Sequence, residues 1–149
     1  MHDPTFPARS ERFSKALHYG ARAWRQLLDK RLKHLGIGQS GWMTIAMVAK
    51  SEEAMSQKTL ATLVEVEGSS MVAMLDRLER DGLVERLPSP TDRRVKLVRL
   101  TAAGHTVYQE VKREAGAMRN EMLGDVDPAA LEAATRLLES VRQRIEDAL

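Results

Sequence analysis

The sequence predicts a mainly α-helical chain carrying one small β-hairpin, ordered as helix, turn, helix and wing. Three features predict it. Met71, Leu75 and Leu78 fall at i, i+4 and i+7, so one helix face is buried while Ser69, Ala73, Asp76, Arg77 and Arg80 face outward. Asp81-Gly82 then stops that helix, and Leu83–Leu87 and Val95–Leu100 read as strands flanking the basic, proline-bounded tip Pro88–Arg94. Towards both ends, apolar residues recur at spacings of three and four, the pattern of helices laid along other helices. Two helices at a steep angle beside a basic hairpin suit duplex DNA, with the second helix in the major groove and the hairpin tip against the minor groove.

From the N-terminus, Ser10 to Leu35 reads as one long helix. Phe13, Leu17, Trp24, Leu28, Leu32 and Leu35 lie on its apolar stripe, Ser10 or a neighbour caps it, and Gly36 ends it. A second helix from about Ser40 to Lys50 buries Trp42, Ile45 and either Met47 or Val48, and Ser51–Ala54 is a polar connection. Gln57 to Val64 forms the first helix of the DNA-facing pair, with Leu60 and Leu63 inward. After the hairpin, Thr101 is the N-cap of a helix that runs to about Leu123 and is closed by Gly124; Asp127-Pro128 supplies N-cap and N1 of the last helix. There Leu131, Ala134, Leu138, Val141 and Ile145 form one stripe. The stripe either packs within one chain or is covered by a second copy. Two terminal helices and a separate lobe leave it partly uncovered in one chain, and two-fold symmetry would set two reading heads about one DNA turn apart.

A chain of 149 residues, 43% hydrophobic, can bury one core, so a single domain over residues 1–149 is expected, with dimerisation helices at about 10–36 and 105–149 and a DNA-binding lobe at 40–101. Aromatics are only 4%, which leaves aliphatic side chains and eight methionines to fill the interior. The net charge of +2 is uninformative, but its distribution is not: residues 1–55 carry 9 basic and 5 acidic side chains, 56–100 carry 8 and 7, and 101–149 carry 6 and 9. Between Arg86 and Arg99 five cations (Arg86, Arg93, Arg94, Lys96, Arg99) face one acid, Asp92. The absence of cysteine excludes disulfides, thiolate metal sites and thiol redox sensing. No stretch reaches the ~18 apolar residues of a membrane span. Met1–Arg9 lacks the hydrophobic block of a signal peptide, so a cytoplasmic location is expected.

Phosphates would be met at helix N-termini, by Ser56, Gln57, Lys58 and Thr59 on the first helix and Ser69 and Ser70 on the second, where free N–H groups and the helix dipole favour anions. Ser69 and Ser70 equally suit simple capping. Arg77, with Ser69 and Ser70, is the expected base reader; Arg80 is placed to reach the DNA backbone or to pair with Asp76.

The run from this helix through Asp92-Arg93-Arg94 to Leu100-Thr101-Ala102-Ala103-Gly104 resembles the winged helix-turn-helix of the MarR family of transcriptional regulators, most nearly its SlyA branch. The likeness extends upstream through Arg22–Leu32 and Trp42 and covers roughly Gly20 to Val111. It implies a homodimer on a pseudo-palindromic operator, acting as a repressor more readily than as an activator. The implied dimer interface includes Phe13, Leu17, Leu131, Ala134, Leu138, Val141 and Ile145. In the wing it implies Arg94 in the minor groove, Asp92 orienting an arginine and Arg93 near the backbone, and Lys96 is counted with them among the DNA-binding residues. SlyA-like proteins carry an arginine where this chain has Ala73, which can touch a thymine methyl but cannot grip guanine. The resemblance also implies an effector site for a small aromatic carboxylate around Arg22, Arg25, Trp42, Met43, Ala46 and Met74; the alternative is a core indole with solvated arginines.

Other chemistry finds little footing. Gly36-Ile37-Gly38-Gln39-Ser40-Gly41 matches a dinucleotide fingerprint but follows a helix, outside any βαβ unit. His2, His18, His34 and His105 have no metal-ligand spacing, no cofactor or metal is implied, and no catalytic set is expected. The alternative function is a winged-helix module for protein–protein assembly with little DNA affinity.

Overall fold

A computed structural model of the chain describes residues 3–149, so His2 lies outside the described residues. Six α-helices and a three-stranded sheet follow in order: α1 (Phe6–Arg31), α2 (Gly38–Lys50), β1 (Met55–Ser56), α3 (Gln57–Val64), α4 (Gly68–Arg80), β2 (Val84–Pro88), β3 (Lys96–Leu100), α5 (Ala102–Leu123) and α6 (Pro128–Glu146). The chain divides into two compact units, residues up to Ala115 and Gly116–Leu149.

In the first unit α1 starts earlier than its stripe suggested. Pro7 sits in its first turn, where a missing N–H leaves no bond unmade, and Thr5 holds the N-cap position. Ser10 does not cap; its hydroxyl donates to the Pro7 carbonyl (3.0 Å). A 3-10 turn, Lys33–Leu35, ends on Gly36 in the left-handed conformation (φ 69°). Of the expected stripe only Leu28 and Leu32 are buried, whereas Leu17 and Trp24 are 40% and 37% exposed. Trp42 is core, and its indole N–H donates to Asp29 Oδ1 (3.1 Å), tying α2 to α1. Ile45 is buried, whereas Met47 and Val48 are half-buried.

Leu60, Ala61 and Val64 form the inward side of α3; Leu63, expected inward, is exposed. Met71, Leu75 and Leu78 of α4 are fully buried, as their spacing requires. The strands run β1-β3-β2, all antiparallel, with Arg86 opposite Val98 and Pro88 opposite Lys96. Pro88 ends an edge strand, which tolerates its missing donor. β1 pairs Met55 with Val98 and Ser56 with Leu97. Two residues carry no alternation, so this strand had no sequence signature.

The wing is fastened at its base. The Thr101 N–H donates to the Leu83 carbonyl (3.1 Å), its hydroxyl to the Gly82 carbonyl (2.5 Å), and the Gly104 N–H to the Thr101 hydroxyl (3.1 Å). Thr101 is thus the N-cap of α5 and also the tie to the turn after α4. On the same helix Glu110 accepts from His34 (3.1 Å) and pairs with Arg113 (2.7 Å). The Arg113 hydrogen bond chiefly holds the Glu110 carboxyl below its usual range.

In the second unit Asp127 Oδ2 accepts from the Ala130 N–H (2.9 Å), capping α6 as expected. No residue of α6 is buried. Leu131, Leu138 and Ile145 of its stripe are exposed, and so is Leu137, which the stripe did not include.

Candidate nucleic-acid interface

Three segments of the first unit carry the residues expected to meet DNA, and the structure separates those already engaged from those still available. At the start of α3, Ser56 Oγ accepts from the Thr59 N–H (3.1 Å) and donates to the Thr59 hydroxyl (2.9 Å), so both side chains serve the N-cap. Gln57 Oε1 accepts from Arg86 (3.2 Å). Lys58 remains exposed and makes no ion pair among the described residues.

On α4 the N-cap position is Glu67, without a side-chain cap bond, so neither Ser69 nor Ser70 caps and both are exposed near open backbone donors. Ala73 is exposed, and Val72 beside it is 40% exposed although sequence reasoning passed over it. Arg77 stays exposed, but its Nη2 donates to the Ile37 carbonyl (3.0 Å) and lies 3.5 Å from Met74 Sδ. Asp76 pairs with Arg86 (2.6 Å) and not with Arg80.

The cationic hairpin divides in the same way. Arg86 spans from β2 to α4 and α3: Nη2 meets Asp76 (2.6 Å) and Glu79 (2.5 Å), Nε meets Glu79 (2.8 Å), and Nη1 meets Gln57. Its side chain is only 19% exposed. Burial works against its charge, but the bonds to Glu79 and Asp76 outweigh that and raise its pKa. Arg99 pairs with Glu85 (2.6 Å). At the tip, Asp92 Oδ1 accepts from the Arg94 N–H (3.0 Å) and from its Nε (3.3 Å), while the Arg94 side chain stays 92% exposed. Arg93 and Lys96 are exposed without ion pairs among the described residues. The wing therefore offers three outward cations in place of five.

Of the expected effector residues, Arg22, Arg25 and Met43 line one cavity of about 430 Å³, together with Gln26, Gln39, Ser40, Val64, Glu65 and Val66. Trp42, Ala46 and Met74 are not in that lining. Glu65, which the sequence reading missed, holds the C-cap of α3 in the left-handed conformation (φ 59°, ψ 46°), the only non-glycine with positive φ among the described residues. Its carboxylate lies 3.9 Å from Arg25. A histidine, cysteine or carboxylate group suited to a metal is absent among the described residues, as is any helix long and apolar enough to cross a membrane.

A model of the MarR family matches residues 42–96, from α2 to the wing. The solved transcriptional regulator PA3341 is 33% identical with a TM-score of 0.82, over 91% of this chain and 98% of that one. The chain belongs to the MarR family. MarR itself from E. coli, in its apo form, is 25% identical (TM-score 0.74, 86% of this chain, 94% of that chain). SlyA is 18% identical (TM-score 0.76, 91% and 94%), which is a likeness of fold, so the matches establish the MarR family and leave the SlyA branch unsupported by identity. MarR-family proteins are transcriptional regulators, not enzymes.

Proposed function

We propose that the chain is a homodimeric regulator that grips a pseudo-palindromic duplex operator and represses by occluding a promoter. The carrying observation is the wing tip: Arg93, Arg94 and Lys96 stand exposed, with Arg94 braced by Asp92, in the same unit as the N-terminus of α4, which has no side-chain cap. A narrow minor groove would favour Arg94 there, and Lys58 and the amides at Ser69 and Ser70 would take phosphates. A mutant of E. coli MarR is known complexed with operator DNA, which supports this use of the fold. The exposed apolar faces, Leu17 with half-buried Phe13 on α1 and Leu131, Ala134, Leu138, half-buried Val141 and Ile145 on α6, are each of a kind that a second copy would cover.

The test is retention on duplex fragments against heparin in dilute buffer. A clear preference for duplex is expected; equal retention would end the regulator reading. Arg94→Ala should weaken DNA binding by about 1–3 kcal/mol and flatten the log–log salt dependence by about one unit. Unchanged affinity at every salt concentration would remove Arg94 from the wing's role.

The effector is a small aromatic carboxylate in the cavity at Arg22 and Arg25. Such an anion competes with Glu65 for Arg25, and Glu65 belongs to the turn between α3 and α4, so occupancy couples to the reading helix and lowers DNA affinity by linkage. Glu65→Gly is expected to tighten aromatic acids by up to ~5-fold, the scale of an exposed ion pair, and to raise stability by ~0.5–1 kcal/mol, the left-handed penalty of a non-glycine less the entropic cost of glycine. Calorimetric titration and urea unfolding read both. If millimolar aromatic acids neither bind nor change DNA affinity, this ligand class is wrong.

A further inference from the structure

The reading helix has unusual chemistry once its internal bonds are subtracted. Base edges are met by the first turns of such a helix, here Ser69, Ser70, Val72, Ala73 and, one turn on, Asp76 and Arg77. Arg77 is the only cation among them, and its guanidinium is held by the Ile37 carbonyl. Asp76 Oδ1 accepts from Arg86, which partly neutralises a carboxylate that is 53% exposed and keeps its second oxygen. Arg80 lies eight residues past Val72, about 12 Å further along the axis. Arg77 and Asp76 each have a bond within the protein, so the exposed side chains of these turns without one are Val72, on the flank towards α3, the methyl of Ala73 and the two serines.

We propose that α4 selects its operator through thymine 5-methyl groups, with Val72 and Ala73 as the reading surface. The proposal rests on the DNA-binding reading above. Thymine alone among the bases presents a methyl in the major groove, and an apolar pair that cannot donate or accept gains only from a base edge that is itself apolar there. Guanine and adenine would leave their acceptors facing Val72 without a donor, so they are discriminated against by desolvation as well as by lost contact.

The experiment takes operators selected from random duplexes by the full-length protein, then replaces thymine by uracil in one half-site, which deletes the methyl and leaves pairing unchanged. Each methyl read by Val72 or Ala73 should carry about three- to five-fold in affinity, from the transfer free energy of one buried carbon. V72A should bind the thymine operator more weakly and lose most of the thymine-over-uracil preference. Ala73→Arg should shift the selected sequence towards guanine at the facing position. Equal binding of thymine and uracil duplexes overturns the proposal, as does a V72A protein that keeps the whole preference, since the methyl would then act through DNA shape. No preference for duplex over heparin would instead sink the regulator reading itself.

Discussion

Gly104→Ala is expected to destabilise the first unit by about 3 kcal/mol, near the upper end of what overpacking usually costs. The sign is the informative part, because glycine-to-alanine inside a helix ordinarily stabilises by about 1 kcal/mol. A Cβ at Gly104 would overlap the Leu83 carbonyl oxygen and stand 3.1 Å from its carbon and 3.3 Å from Leu100 Cβ. Leu83 cannot give way, since that same carbonyl accepts from the Thr101 N–H and its own N–H donates to the Leu78 carbonyl (2.9 Å). The base of the wing must shift instead, so DNA binding should fall with stability. Gly116 is the control on the same helix: a Cβ there meets only the tip of Arg119 at 3.8 Å, and Gly116→Ala should gain stability. Urea unfolding of both variants decides it, and a Gly104→Ala protein as stable as its parent would refute the close approach.

The fold was legible because its strongest signals are periodic or are stop signals. Met71, Leu75 and Leu78 spaced one buried face, Asp81-Gly82 and Asp127-Pro128 marked ends, and Thr101 announced a cap; each depends on neighbours in sequence. β1 escaped because two residues cannot show a period of two. The start of α1 escaped because Pro7 at a first turn and Pro7 in a loop look alike without the backbone. Within the candidate interface, residue types were readable but their availability was not. Arg86, Arg93, Arg94, Lys96 and Arg99 are five equal cations in sequence, yet Arg86 and Arg99 are claimed by Asp76, Glu79 and Glu85, partners seven to fourteen residues away. Arg77 was spent on a carbonyl forty residues upstream, which no local pattern encodes. Glu65 was missed for the opposite reason: a left-handed helix end is normally announced by glycine or asparagine, and this chain uses a residue with no such preference.

Arg86→Ala should weaken DNA binding on the scale of a lost wing-tip contact, although Arg86 is the hairpin cation least able to touch DNA. It is a positioning residue. Its fork joins Gln57 at the head of α3, Asp76 and Glu79 on α4, and its own strand β2, so one side chain fixes the wing against both helices. Removing it frees two carboxylates on or beside the reading face, where they would oppose the phosphates of any bound duplex. Hydrogen bonds to charged groups contribute about 1.5–3 kcal/mol, but Asp76 and Glu79 are 53% and 40% exposed and regain water when released. Stability should therefore fall by only about 2 kcal/mol. DNA affinity should fall at least tenfold more than that loss of folded protein explains, most steeply at low salt. Restoring the original net charge of the cluster separates charge from position: Arg86→Ala combined with Asp76→Asn should recover part of the affinity if freed carboxylates repel the duplex, and none if only the wing's orientation was lost. Arg86→Lys, which keeps the charge but not the planar fork, should recover less than half of it. Full DNA affinity in Arg86→Ala would mean that the wing holds its place without this clamp, and the division of the hairpin into bracing and binding cations would fail with it.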